Sequence, residues 1–212
     1  MSQSDSDEES NEINNNYINE LIEQSKNLSL IDKPDIIIDK YTKDVLKEQY
    51  ELHYNYVKSR KESSKKLNIK FRFPSIPEDI TENIIKFIIH KLGDTTSSWN
   101  CKGDLFSKKE GIQECKCFTS NGPISFTPSS NWDYIYFLDA RNWIDNTFIL
   151  YKAKIKRTSD EWKQIKINKK QTFEDQCVQK RRPRIGWENL YPQITTYCEK
   201  IYESTFDDII KE

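Results

Sequence analysis

The chain has 212 residues, enough to bury one sizeable core, and 35% of them are hydrophobic against 32% charged. Aromatic residues reach 12%, including 11 Tyr and 5 Trp, which excludes a wholly disordered chain despite the polarity. The formal net charge of -1 conceals a split: residues 1–20 hold six acids and no Lys or Arg, so residues 21–212 carry 33 basic against 28 acidic side chains.

The basic excess is concentrated between Lys152 and Arg184, where twelve Lys or Arg stand against four acids; such clustering suits a polyanionic partner. The five cysteines form no paired CxxC set, and their odd number without a secretory signal predicts reduced thiols in an intracellular protein. The apolar run Ile84–Ile89 is interrupted by Lys86, so no membrane span is expected. No GxxxxGK[ST] loop is present and Gly occurs only 5 times, which argues against an ATP-driven translocating enzyme.

In chain order, residues 1–12 read as a disordered acidic tail and residues 13–70 as an N-terminal helical extension packed outside the core. Ile13, Tyr17, Ile18, Leu21 and Ile22 follow helical spacing; Tyr41 to Val57 predict a longer helix ending near Lys58–Lys66. Ser75 before Pro77 opens a third helix, whose apolar face runs from Ile80 to Leu92 and which stops at Gly93. From there the period becomes strand-like: one strand over Trp99–Phe106, a turn through Lys108–Gly111 and a second strand over Ile112–Phe118. Trp132–Ala140 and Thr147–Ile155 predict two more strands, the first apolar on both faces and therefore central. A closing helix is expected within Tyr191–Ile210. The fold class that follows is α/β, a central mixed sheet flanked by helices.

The chemistry is carried by the predicted hairpin. Asp104 and Glu114 lie ten positions apart on either side of a turn centred near Lys109, which sets them opposite each other on the two strands. Lys116 lies two residues beyond Glu114, on the same strand face. Two carboxylates suit a hard divalent cation, and a lysine can orient water and offset developing charge. Asp133 and Asp139 share a strand face and either join the site or pair with buried lysines. His53 and His90 have no metal-ligand or HNH-like spacing.

Gly103-Asp104, nine intervening residues and then Glu114-Cys115-Lys116 resemble the signature of PD-(D/E)xK nucleases, with Gly in place of the usual Pro. The stretch from Lys102 to Ala140, with the later RRPRI, is similar to small type II restriction endonucleases, including ones carried by large DNA viruses; the resemblance covers roughly residues 70–200. It implies a nuclease core over 71–212 and Mg2+-dependent cleavage of double-stranded DNA, with Mn2+ as a substitute. Asp104, Glu114 and the Cys115 carbonyl would hold the metal, Lys116 would position water, and Glu82 (with Glu78 as its rival) would be the additional glutamate of the preceding helix. Likewise implied are a homodimer and a separately encoded DNA methyltransferase partner, in the cytoplasm or, if the source is viral, associated with the virion. Candidate DNA contacts are Lys102, Asn121, Ser125, Gln176, Gln179, Arg181, Arg182 and Arg184. Two rival readings are a nuclease that recognises DNA structure rather than sequence, and a non-catalytic DNA-binding protein on the same fold.

Overall fold

The computed structural model describes residues 41–100 and 103–211. The predicted acidic tail, the predicted helix over Ile13–Ile22 and the candidate Lys102 lie outside the described residues.

Helix α1 spans Lys43–Leu67; the Thr42 hydroxyl accepts from the Val45 N–H at 3.2 Å at its start, and Asn68 ends it at φ 54°. Leu46, Tyr50 and Val57 are buried, so this helix, expected to pack outside the core, instead puts its apolar stripe into the same core as the helix that follows. Helix α2 spans Glu78–Lys91, with Gly93 beyond it at φ 98°. Pro77 rather than Ser75 occupies its N-cap, and there is no side-chain cap; instead Thr81 and Asn83 bond back to the carbonyls of Glu78 and Asp79 at 3.0 and 2.7 Å.

The expected single strand over Trp99–Phe106 is two strands. β1 (Ser98–Asn100) doubles back onto β2 (Gly103–Ser107), with Ser98 opposite Phe106 and Asn100 opposite Gly103. Alternating apolar residues read alike in one long strand or in two short ones folded on each other, and the reversal places residues of both on one face. β2 then pairs antiparallel with β3 (Gly111–Phe118), turning at Gly111, where φ is 79° and any Cβ would collide with the Asp133 carboxylate.

β4 (Pro123–Ser125) leaves the main sheet, while β5 (Tyr134–Asp139) returns to it parallel to β3, and β6 (Phe148–Ala153) pairs antiparallel with β5. Short helices α3 (Asp160–Lys163) and α4 (Phe173–Val178) precede β7 (Arg184–Gly186), which pairs with β4 in a separate two-stranded ribbon. α5 (Trp187–Ile194), β8 (Cys198–Ser204) and α6 (Phe206–Ile210) complete the chain. The single closing helix expected over Tyr191–Ile210 is thus interrupted by a strand: β6 offers a free edge, and backbone pairing along it outweighs a helical spacing of only a few residues.

The main sheet has the order β1-β2-β3-β5-β6-β8 and is mixed, with β3 and β5 the parallel pair. β5 is buried on both faces, as the sequence predicts for a central strand. Tyr136 and Leu138 face a core built with α1, α2 and α6, whereas Ile135 and Phe137 face a second core containing Trp132, Trp162 and Trp187. Among the described residues no helix is long and apolar enough to cross a membrane, and the four described cysteines are free.

Ile84, fully buried beneath the sheet, sets a measurable scale for this packing. Ile84→Ala is expected to cost about 2–5 kcal/mol by urea unfolding, against roughly 0.5 kcal/mol or less for the half-exposed Trp99→Ala. Equal losses for the two variants would show that α2 is not a core element.

Candidate active site

The register of the β2–β3 hairpin settles the geometry. Leu105 faces Gln113, Phe106 faces Ile112 and Ser107 faces Gly111. Continued by one pair, this ladder sets Asp104 opposite Glu114. The Asp104 carboxylate accepts from the Cys115 N–H at 2.7 Å, which fastens it across the hairpin. Lys116 Nζ lies 2.6 Å from Glu114 Oε1 and 3.9 Å from Asp104 Oδ2. Period two in β3 keeps Glu114 and Lys116 on one face, while the Cys115 side chain turns into the core against α2.

Asp104, Glu114 and Lys116 share a cleft of ≈ 530 Å³ with Glu78 and Glu82 from α2, and with Ser125 and Arg182. Asp104 and Glu114 thus pair with one lysine, Glu82 joins them in the cleft, and the exposed Glu78 also lines it. Burial, and then the charges of Asp104 and Glu78, push the Glu82 carboxyl up to about 8, only partly opposed by Lys116. Burial likewise raises Asp104 and Glu114, against the pull of Lys116 on both. Burial works against the Lys116 charge, but Glu114 and Asp104 outweigh it and hold the ammonium above the ordinary lysine value. The Cys115 thiol is raised by burial, so it stays neutral and offers only its backbone.

This donor set fits a hard divalent cation. Among the described residues no three acidic, His or Cys side chains form a ready-made metal cage. Two carboxylates beside a backbone carbonyl nevertheless match the sparse protein ligation of Mg2+, which keeps several of its waters. The raised carboxyl groups are those that a cation would stabilise in their charged form.

The other sequence candidates divide. Ser125 and Arg182 line the cleft, and Arg184 faces Ser125 across the β4–β7 ribbon. Arg181 is exposed beside them. Asn121 lies in the loop after β3, accepting from Arg141 Nη1 at 2.9 Å. Gln176 is buried in α4 and donates to Gln171 at 3.3 Å, while Gln179 is the C-cap of α4; neither lines the cleft. Asp133 accepts from the Ile112 N–H and pairs with Lys156, and Asp139 pairs with Arg141, so both take structural partners. His90 Nε2 lies 2.6 Å from the Ser97 carbonyl and His53 stacks on Trp143, both outside the cleft.

The sequence reading missed Arg141. Its guanidinium grips the buried Asp139 at 2.7 Å, reaches Glu188 of α5 at 2.9 Å, and lies over the Phe118 ring. With its bond to Asn121 it ties the end of β5, the loop after the hairpin and α5 together. Only the Asp-x-Arg spacing hinted at this, and spacing alone does not separate a buried pair from a solvated one.

A family model for the Bsp6I restriction endonuclease matches residues 40–191, a span that holds every cleft side chain named above. The chain belongs to the Bsp6I restriction endonuclease family. It is 44% identical over 82 residues to the type II restriction enzyme Bsp6I of Bacillus sp. (strain RFL6). That alignment covers 37% of this chain and 45% of the Bacillus enzyme, so the match spans under half of the relative's length. No solved structure matches the chain.

Membership places the carboxylate cleft inside a family region, and the cleft's electrostatics can be measured directly. Glu82 binds its proton more tightly in the folded than in the unfolded chain, so the metal-free protein loses stability as pH rises from the ordinary Glu range through about 8. Glu82→Gln removes that loss: its Tm should exceed the parent's above pH 8, by roughly 2–4 °C per 1 kcal/mol recovered, and match it near pH 5. Parallel Tm curves across this range would refute the assignment of Glu82 to the carboxylate cluster.

Proposed function

We propose that the protein is a type II restriction endonuclease with a PD-(D/E)xK active site, hydrolysing phosphodiester bonds of double-stranded DNA with Mg2+ or Mn2+. The observation that carries this reading is the approach of Lys116 to both Glu114 and Asp104 across a hairpin within the family region. Asp104, Glu114 and the Cys115 carbonyl would hold the cation, with Glu82 as a further carboxylate at the same cleft. When bound, the cation polarises the phosphate and lowers the pKa of the attacking water.

The chain's own groups do the rest. Lys116, kept charged by its two carboxylate neighbours, orients the water and offsets the negative charge that develops on the phosphate. The Asp104–Cys115 bond holds β2 against β3, so the two carboxylates keep their spacing as substrate enters. The first core, on the reverse face of the strand that carries Glu114 and Lys116, where the Cys115 side chain packs against α2, gives them a rigid base.

Each copy carries one such cleft, whereas a duplex has two strands. We read the active form as a homodimer whose twofold axis coincides with that of a palindromic site, acting inside the cell beside a separately encoded protecting methyltransferase. Residues 71–212 form the nuclease core in this reading.

Purified protein incubated with unmethylated phage DNA should give discrete fragments in Mg2+ and none in EDTA. Lys116→Ala should slow cleavage by roughly 100- to 1000-fold, the cost of removing one preorganised charge-stabilising group. Cleavage only at branched or nicked DNA would replace this reading with a structure-specific nuclease. Metal-independent binding without strand scission, across several DNA sources and methylation states, would replace it with a DNA-binding protein.

A further inference from the structure

The β4–β7 ribbon stands beside the carboxylate cleft but contributes nothing to its chemistry. Its inner face is Ile124 opposite Ile185, both buried in the core that also holds Phe118 and Trp187. Its outer face pairs Pro123 with Gly186 and Ser125 with Arg184. Gly186 has no side chain, so along β7 no side chain two residues on shares the outer face with Arg184. The Ser125 Oγ is a buried hydroxyl without a hydrogen-bond partner, on a residue that lines the cleft. An unsatisfied hydroxyl in such a place is costly and awaits a ligand atom.

Arginine pairing points the same way. Arg141 and Arg157 each have carboxylate partners. Arg181, Arg182 and Arg184 take part in no ion pair among the described residues, although they crowd into four positions. Three exposed guanidinium groups without an ion-pair partner make a surface suited to receive an anion.

We infer that this ribbon is the sequence-reading element of the nuclease: Arg184 with Ser125 engages a base edge in the major groove, and Arg182 at the cleft grips the adjacent phosphate. The inference rests on the restriction-endonuclease reading and adds where recognition resides. A two-stranded ribbon fits the major groove, and a guanidinium there matches the two acceptors of guanine. The ribbon is also covalently close to the chemistry, since β4 begins seven residues after Lys116. Reading and cutting therefore share one rigid frame, fastened by Phe118, Trp187 and the Arg141 contacts.

The test uses the full chain carrying Lys116→Ala, so that DNA is bound without being cut. Fluorescence anisotropy would compare a duplex containing the site cut by the parent enzyme with duplexes changed at single base pairs. Arg184→Ala should lose roughly 5- to 150-fold in discrimination at one base-pair position, the value of a bidentate contact, with its Tm unchanged. Arg182→Ala should weaken all duplexes alike and lower the slope of log affinity against log salt by about one. Ser125→Ala should relax preference at the position read by Arg184 or at its neighbour. If the parent discriminates but Arg184→Ala discriminates equally well at every position, recognition resides elsewhere and the inference fails. If the parent shows no sequence preference, the restriction-endonuclease reading fails first and takes the ribbon's role with it.

Discussion

Everything around the cleft answers to an imbalance of charge: Glu82, Asp104 and Glu114 share it with Lys116, which pairs with the last two. One ammonium can satisfy one carboxylate closely, and here it favours Glu114. Bringing further acids into the same low-dielectric space is unfavourable unless something keeps them there. The sheet supplies that constraint. Asp104 is held by a backbone N–H, Glu114 by the ladder of β3, and Glu82 by a helix whose apolar residues are locked into the core. The strain is stored electrostatically, as raised proton affinity, rather than as distorted backbone.

A second polar cluster stabilises the hairpin from its other end. Glu110, at the turn, accepts from Lys152 and from the Tyr136 hydroxyl, and Gln113 reaches both Glu110 and Ser97. Burial pushes the Glu110 carboxyl up, but these donors together pull it below its ordinary value. The two ends of one hairpin therefore have opposite electrostatic character. At the turn the acid is fully partnered and structural, whereas at the open end the acids outnumber their partners.

Much of this was legible because turns and strands impose arithmetic. A turn centred near Lys109 fixes which residues face each other, and the period of two adds Lys116 to Glu114. The apolar run of α2 and the doubly apolar β5 were equally plain, since burial on that scale leaves few alternatives. What escaped depends on partners distant in sequence. Nothing local distinguishes one strand over Trp99–Phe106 from two strands folded together, and β8 is a strand because β6 has an edge to fill. Gln176 has the side chain of a base reader yet is buried, because α4 turns that face inward. Arg141 is invisible until β5, the loop at Asn121 and α5 are brought to one point.

The ribbon's two strands come from places far apart in the chain, β4 just after the hairpin and β7 after the basic segment. It is thus a composite surface, not a loop. A single contiguous insertion or exchange replaces only half of it and leaves the other strand with a mismatched partner. Change of such a surface proceeds most easily by point substitution at the exposed Arg184, while the buried Ile124 and Ile185 resist it. A lineage built this way can vary the ribbon's outer face without reopening the frame that holds the carboxylate cleft, and exchange of whole segments between relatives would seldom keep the two strands matched.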